Sequence, residues 1–213
     1  ASVNNTDIVF ATGKSEAAAE KFRFTADNEI GVAGANYGTD GQVLTSGGAG
    51  AAVAWEDAGG GGLTESDQWR ITTDYSGGHN ANLTANWERN DTAGFGLLGT
   101  GMTESSGIFS FPSTGYWLLF YGITILCNGD KSHDVHLDYT ADNSSYAEIG
   151  RVGYGGEVTG TGNTKMQTFL FDITDTSNQK FVLRTSGTTS DDYVQGNTSY
   201  QHSGITVMKL GDT

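Results

Sequence analysis

Tyr116-Trp-Leu-Leu-Phe-Tyr-Gly-Ile-Thr-Ile-Leu126 decides how the rest of the chain is read. Taken as a strand, it places Tyr116, Leu118, Phe120, Thr124 and Leu126 on one face and Trp117, Leu119, Tyr121, Ile123 and Ile125 on the other. Both faces are apolar. An antiparallel sandwich strand ordinarily buries one face and wets the other, so the second face calls for cover from outside its own sheet. A loop of the same chain is one cover. The other is a second copy packed around a threefold axis, which puts Trp117, Leu119, Tyr121, Ile123 and Ile125 in a homotrimer interface.

Outward from that segment, residues 64–213 carry strand candidates at the spacing of a β-sandwich: 69–73, 83–87, 108–111, 135–139, 149–154, 166–173, 181–185 and 205–210. Val135, Leu137 and Tyr139 alternate with Asp134, His136 and Asp138, the pattern of a strand with one wet face. With 32 glycines and a single proline, turns fall to Gly, Asn and Asp. Helix-forming composition is confined to residues 15–21, too short to hold a helix alone. The fold class expected is all-β.

Residues 1–57 hold only short apolar pieces (8–10, 22–24, 30–32, 43–44 and 53–55), none able to build a private core. They read as an extended β segment, an intertwined shaft or anchor stabilised by several copies. Residues 58–63 include four consecutive glycines and are expected to be a hinge between this segment and a domain at 64–213.

The formal charge of -14, from 25 acidic and 11 basic residues without a basic cluster, argues against nucleic acid and anionic membranes as partners. Residues 116–126 are too few to span a bilayer and lie far from the N-terminus, so neither membrane insertion nor a signal peptide is expected there. Cys127 is the sole cysteine, which excludes an internal disulfide. Ordering so glycine-rich a chain without staples is costly, and oligomerisation is the remedy.

Reactive constellations are missing from the sequence. There is no Gly-x-Ser-x-Gly elbow. Gly94-Phe-Gly96 and Gly99-Thr-Gly101 lack the third glycine and the helix of a dinucleotide site. Cys127 closes the most apolar strand and is expected to be a buried, inert thiol. His133 and His136 sit at i and i+3, on opposite faces of a strand, which rules against a single-chain zinc site; copies of one histidine meeting on a threefold axis are the other way to hold a metal. Asp130, Asp134, Asp138 and Asp142, or Asp172 and Asp175, offer calcium chemistry but match no calcium loop and default to solvated turns. The expectation is no catalytic residue, no metal and no cofactor.

Gly107-Ile-Phe-Ser-Phe-Pro-Ser-Thr-Gly-Tyr-Trp-Leu-Leu-Phe120 resembles the segment that opens the central strands of C1q/TNF-like jelly rolls, and Ser203-Gly-Ile-Thr-Val-Met-Lys-Leu210 resembles their closing strand. The resemblance spans residues 64–213, more loosely between 128 and 201. It implies an antiparallel jelly-roll head in a compact homotrimer, with the doubly apolar strand near the threefold contact. Gly38-Thr-Asp-Gly-Gln-Val-Leu-Thr-Ser-Gly-Gly-Ala-Gly-Ala-Ala-Val-Ala-Trp-Glu56 resembles a segment recurring in bacteriophage tail-fibre and related virion proteins. Residues 7–16 and 22–32 resemble the strand-turn-strand units found before it. This second resemblance implies that residues 1–57 attach the chain to other tail or capsid proteins on a virion surface.

Together these imply a non-enzymatic tail or head fibre or spike whose head contacts a host-surface glycan or protein. Tyr193, Asn197, Tyr200 and Gln201, within residues 190–202, are the candidate contact residues, tyrosines and amides being suited to sugar stacking and hydrogen bonding. The bland alternative is a polar connection whose tyrosines cap the core. Two other functions stay open: a capsid or tail decoration protein with no receptor role, and a secreted bacterial C1q-like lectin. A paired-carboxylate glycosidase is disfavoured, since polysaccharide-degrading phage spikes usually use long parallel β-helices.

Overall fold

The computed structural model describes residues 5–58, 62–77, 79–128, 132–155 and 158–213. The chain divides into two compact units, Ala1–Gly62 and Leu63–Thr213. The glycine hinge expected at 58–63 falls at this division, and Gly59, Gly60 and Gly61 of it lie outside the described residues. Among the described residues there is no helix of any length. The helix-like stretch 15–21 instead gives its last residues to a strand, because a seven-residue segment has too few hydrogen bonds to offset nucleation.

The first unit holds strands β1 (Ile8–Thr12), β2 (Ala19–Phe24) and β3 (Ile30–Val32) in the order β1-β2-β3, and a separate hairpin of β4 (Gln42–Thr45) and β5 (Ala54–Asp57). The ladders of this unit pair β1 with β2, β2 with β3 and β4 with β5, all antiparallel. These sheets have one layer each, and among the described apolar side chains of this unit only Val32 is buried.

The second unit runs β6 (Ser66–Ile71), β7 (Trp87–Arg89), β8 (Thr103–Ser105), β9 (Ile108–Ser110), β10 (Gly115–Cys127), β11 (Ser132–Thr140), β12 (Ala147–Gly155), β13 (Thr161–Ile173), β14 (Lys180–Ser186), β15 (Tyr193–Val194) and β16 (Gly204–Gly211). One sheet has the order β13-β10-β16-β6-β7, with β15 on the far end of β10; the other has the order β12-β11-β14-β9-β8. Each named ladder is antiparallel, and strands distant in sequence lie side by side, as in a jelly roll.

The alternation read in β10 is present, but its two faces are exchanged relative to the expected interface. Trp117, Leu119, Tyr121, Ile123 and Ile125 are 0–2% exposed and pack into one cluster with Val135 and Leu137 of β11, Phe181 and Leu183 of β14 and Val207 of β16. They are the intramolecular core and not a trimer interface. The physical reason is the second sheet: its own apolar face meets this one, leaving no room for another chain. Aromatic contacts knit the layers, with Phe109 edge-on to Trp87 at 5.0 Å and Phe111 against Trp117 at 5.5 Å.

One buried charge holds the edge of this sandwich. Asp67 is 1% exposed, and its carboxylate accepts hydrogen bonds from Arg89 Nε (2.9 Å), Trp69 Nε1 (2.8 Å) and the Met102 backbone N–H (2.8 Å). That full set of donors is what lets a carboxylate sit in the interior. The glycines at 94, 99 and 101 take positive φ of 101°, 74° and 76°, the conformations of turns that any side chain would strain.

Candidate interaction surface

With one face of β10 committed to the core, the other looks outward. Tyr116 is 42% and Phe120 40% exposed, and Leu118 is half-buried. Register extends this face sideways: Leu118 lies opposite Leu170 of β13 and Met208 of β16, and Phe120 opposite Thr168 and Thr206. Leu170 is 58% and Met166 71% exposed. No charged side chain sits in these two rows between β13 and β16, so the centre of the sheet presents an uncharged strip in which Leu118, Phe120, Leu170 and Met208 are apolar. The next row pairs Gly122 with Gly204 and with Met166. Two adjacent glycines leave a gap in the side-chain layer, and there a depression of about 470 Å³ opens, walled by Phe120, Thr124, Met166, Gln201, His202 and Thr206.

The candidate contact residues at 190–202 are only partly gathered. Tyr193 is not in a free loop: with Val194 it forms β15, paired to Leu126 and Ile125 of β10. Asn197 is tied down by its backbone N–H, which donates to Ile71 O at 2.9 Å, and its Oδ1 accepts from Ser199 N at 2.8 Å. Gln201 lines the depression and accepts a hydrogen bond from Asn90 Nδ2 at 2.8 Å. Tyr200 is 55% exposed, its ring 5.8 Å from that of His202, and is the member of the set most open to a partner.

The expected wet face of β11 is roofed rather than wet. His136 is 2% and Asp138 8% exposed. His136 Nδ1 lies 2.6 Å from Glu148 Oε2 and 2.9 Å from Arg184 Nη2, while Nε2 lies 2.7 Å from Ser186 Oγ. Arg184 Nε donates to Asp138 Oδ2 at 2.8 Å, and Arg151 Nε to Glu148 Oε1 at 2.9 Å. Arg151, then His136, hold the Glu148 carboxyl down to about 2. His136, Asp138 and Glu148 bring their ligand atoms within 4.8 Å of one another, yet two guanidinium groups already neutralise the carboxylates. The cluster is an ion-pair lock across β11, β12 and β14.

Asp142 Oδ1 accepts the backbone N–H groups of Ser144 and Ser145, and Asp175 Oδ1 those of Ser177 and Asn178, so both cap turns. Asp130 lies outside the described residues. His133 is 1% exposed on β11, and Cys127 ends the inner face of β10 at 0% exposure. Sequence reasoning missed Met166, Leu170 and Met208; Met166, Thr168 and Leu170 do alternate in β13, but only the register reveals that they adjoin Leu118 and Phe120.

The structure is similar to that of Eiger TNF from S. frugiperda, with a TM-score of 0.56 and 15% identity over 71% of this chain and 96% of that one. Murine APRIL gives a TM-score of 0.47 and 10% identity over 68% of this chain and 98% of that one. No protein-family model and no curated protein sequence matches the chain. The Leu63–Thr213 unit is thus a TNF-like jelly roll, the architecture its sheet order describes.

Proposed function

We propose that this chain is a non-enzymatic structural and binding protein of a bacteriophage virion surface, a fibre or spike subunit whose jelly-roll head associates as a homotrimer through the outer face of its β10 sheet. The observation that carries the reading is the uncharged strip of Leu118, Phe120, Met166 and Leu170, left open by a sheet whose other side is already full. A strip of this kind at the centre of a sheet favours self-association over solvent. Asp138 and Glu148 are drawn into ion pairs with Arg184 and Arg151, and Asp142 caps a turn, which fits a scaffold better than an active site. The likeness of residues 38–56 to virion-fibre segments supports an anchoring role for the first unit.

Host contact through Tyr193, Asn197, Tyr200 and Gln201 belongs to the same proposal, with Tyr200 the main contributor. Native mass measurement of the isolated protein tests the assembly: three copies are expected, and a single copy ends the reading. Imaging of labelled virions then places the protein on a fibre tip or on the capsid wall, the latter outcome favouring a decoration role. Unchanged host adsorption by a trimeric Tyr193→Ala/Tyr200→Ala variant removes the receptor contact.

A further inference from the structure

The three-stranded sheet of the first unit has a face that its own unit does not finish. Its register aligns Ile8 with Phe24 and Phe24 with Ile30 in one row, and Phe10 with Phe22 and Phe22 with Val32 in the next. All six are apolar. Ring contacts confirm that they share one side: Phe10 lies 6.4 Å from Phe24, and Phe22 6.1 Å from Phe24. The opposite side carries Val9 and Arg23, the latter ion-paired with Glu20 and Asp7. This is the two-sided pattern of a sheet built to bury one face. Yet Ile8 is 61%, Phe10 53% and Phe24 44% exposed.

Area narrows the choice of cover. A phenylalanine offers about 150–250 Å² for burial, so half-open rings and one isoleucine leave on the order of 300 Å² of apolar surface. A stable interface needs roughly 800 Å² from each partner. The face is therefore too small to recruit a separate protein unaided, but large enough to close once copies are held together elsewhere in the chain. The head carries such an association surface in the same chain, which raises the local concentration of the first unit for its equivalents. An uncharged face also presents nothing for a charged partner to read, whereas its own copies offer the same apolar chemistry.

We infer that the Ile8, Phe10, Phe22, Phe24, Ile30 and Val32 face packs against the same face of the other two copies, forming a second three-fold core. The inference rests on the head homotrimer proposed above and adds to it a separate contact with its own residues. The full-length chain serves for the test. Single cysteines are introduced at Phe24→Cys on the apolar face and at Val9→Cys on the opposite face, Cys127 being buried, and each protein is oxidised and run under denaturing, non-reducing conditions. Phe24→Cys is expected to give covalent dimers and Val9→Cys to stay single. In parallel, backbone amides of residues 8–32 are expected to exchange at least tenfold more slowly in the native chain than in Phe10→Asp/Phe24→Asp, with both proteins keeping a three-copy mass. A trimer in which Phe24→Cys fails to cross-link and the two exchange rates agree overturns this inference and leaves the head assembly standing. A single-copy mass for the native chain overturns both. Slow exchange that survives in a single-copy Leu118→Asp head variant overturns the inference alone, since the face is then covered within one chain.

Discussion

The two units of this chain are built from the same strand vocabulary and end in opposite conditions. In the second unit a thirteen-residue strand crosses under a partner sheet, and its inner face closes completely, from Trp117 to Cys127. In the first, strands of three to six residues form single layers, and Val32 alone among the described apolar side chains is buried. Apolar content is not the difference, since the β1-β2-β3 sheet devotes a whole face to six apolar residues. The difference is the second layer: a strand becomes core only when another sheet of the same chain lies within reach of its side chains. Where that layer is missing, the apolar face stays open, as at Ile8, Phe10 and Phe24.

Mutating one aromatic residue in each unit tests this contrast most directly. Trp117→Ala removes a fully buried indole and is expected to lower the stability of the head by about 3–5 kcal/mol, measured by denaturant unfolding. Phe10→Ala, in the single-layer sheet, is expected to move that same head transition by less than about 0.5 kcal/mol. Similar costs for the two would mean that the units do not fold separately.

The outer face of β10 is the next test, because it belongs to the closed unit but behaves like the open one. Phe120→Asp is expected to cost the assembly about 2 kcal/mol or more per contact, converting three copies to one at micromolar concentration. The head should unfold within about 0.5 kcal/mol of its original midpoint, as for an exposed position. A loss of head stability matching that of Trp117→Ala would show Phe120 to be core, and the distinction between the two faces of β10 would fail.

That distinction marks the limit of what the sequence conveyed. Alternation in residues 116–126 revealed a strand apolar on both sides, but Tyr116, Leu118 and Phe120 are as apolar as Trp117, Leu119 and Tyr121, so composition could not say which side faced the second sheet. The choice is made by register with β13 and β16, a long-range property. Most long strands of the head were legible from their alternation, whereas β8 and β15, three and two residues long, carry too few side chains to show a period. Buried charge was also illegible: Asp134, His136 and Asp138 have the pattern of a wet face, and only the pairing of β11 with β12 and β14 brings Arg151, Glu148 and Arg184 over it.

That roof supplies a smaller effect. Arg184→Ala leaves the Asp138 carboxylate, 8% exposed, without its guanidinium. The expected loss of head stability is about 1–3 kcal/mol, below the full cost of an unpaired interior charge because Arg184 itself is partly open to water. Arg184→Lys should recover less than half, since a single ammonium cannot reproduce the fork that meets Asp138 through both Nε and Nη2.

The smallest effect separates the units by pH. Each holds an arginine three residues after a glutamate, Glu20–Arg23 in the first and Glu148–Arg151 in the second. Glu20 bonds Arg23 on an exposed sheet, whereas Glu148 also lies 2.6 Å from Nδ1 of the buried His136. In both, the arginine lowers the carboxyl below its ordinary range, Glu148 to about 2. A carboxyl lowered on folding stabilises the folded state above its unfolded value, roughly 4.3, and that contribution fades as pH falls towards the folded value. The head's denaturant midpoint should therefore decline between about pH 4.5 and pH 2. Glu148→Gln should flatten part of that decline, converging on the native protein near pH 2. Glu20→Gln should leave the head's profile unchanged, because its carboxylate stabilises only the first unit. Equal flattening by both substitutions would show the two units titrating and unfolding together, and the contrast between a closed sandwich and an unfinished sheet would lose its energetic meaning.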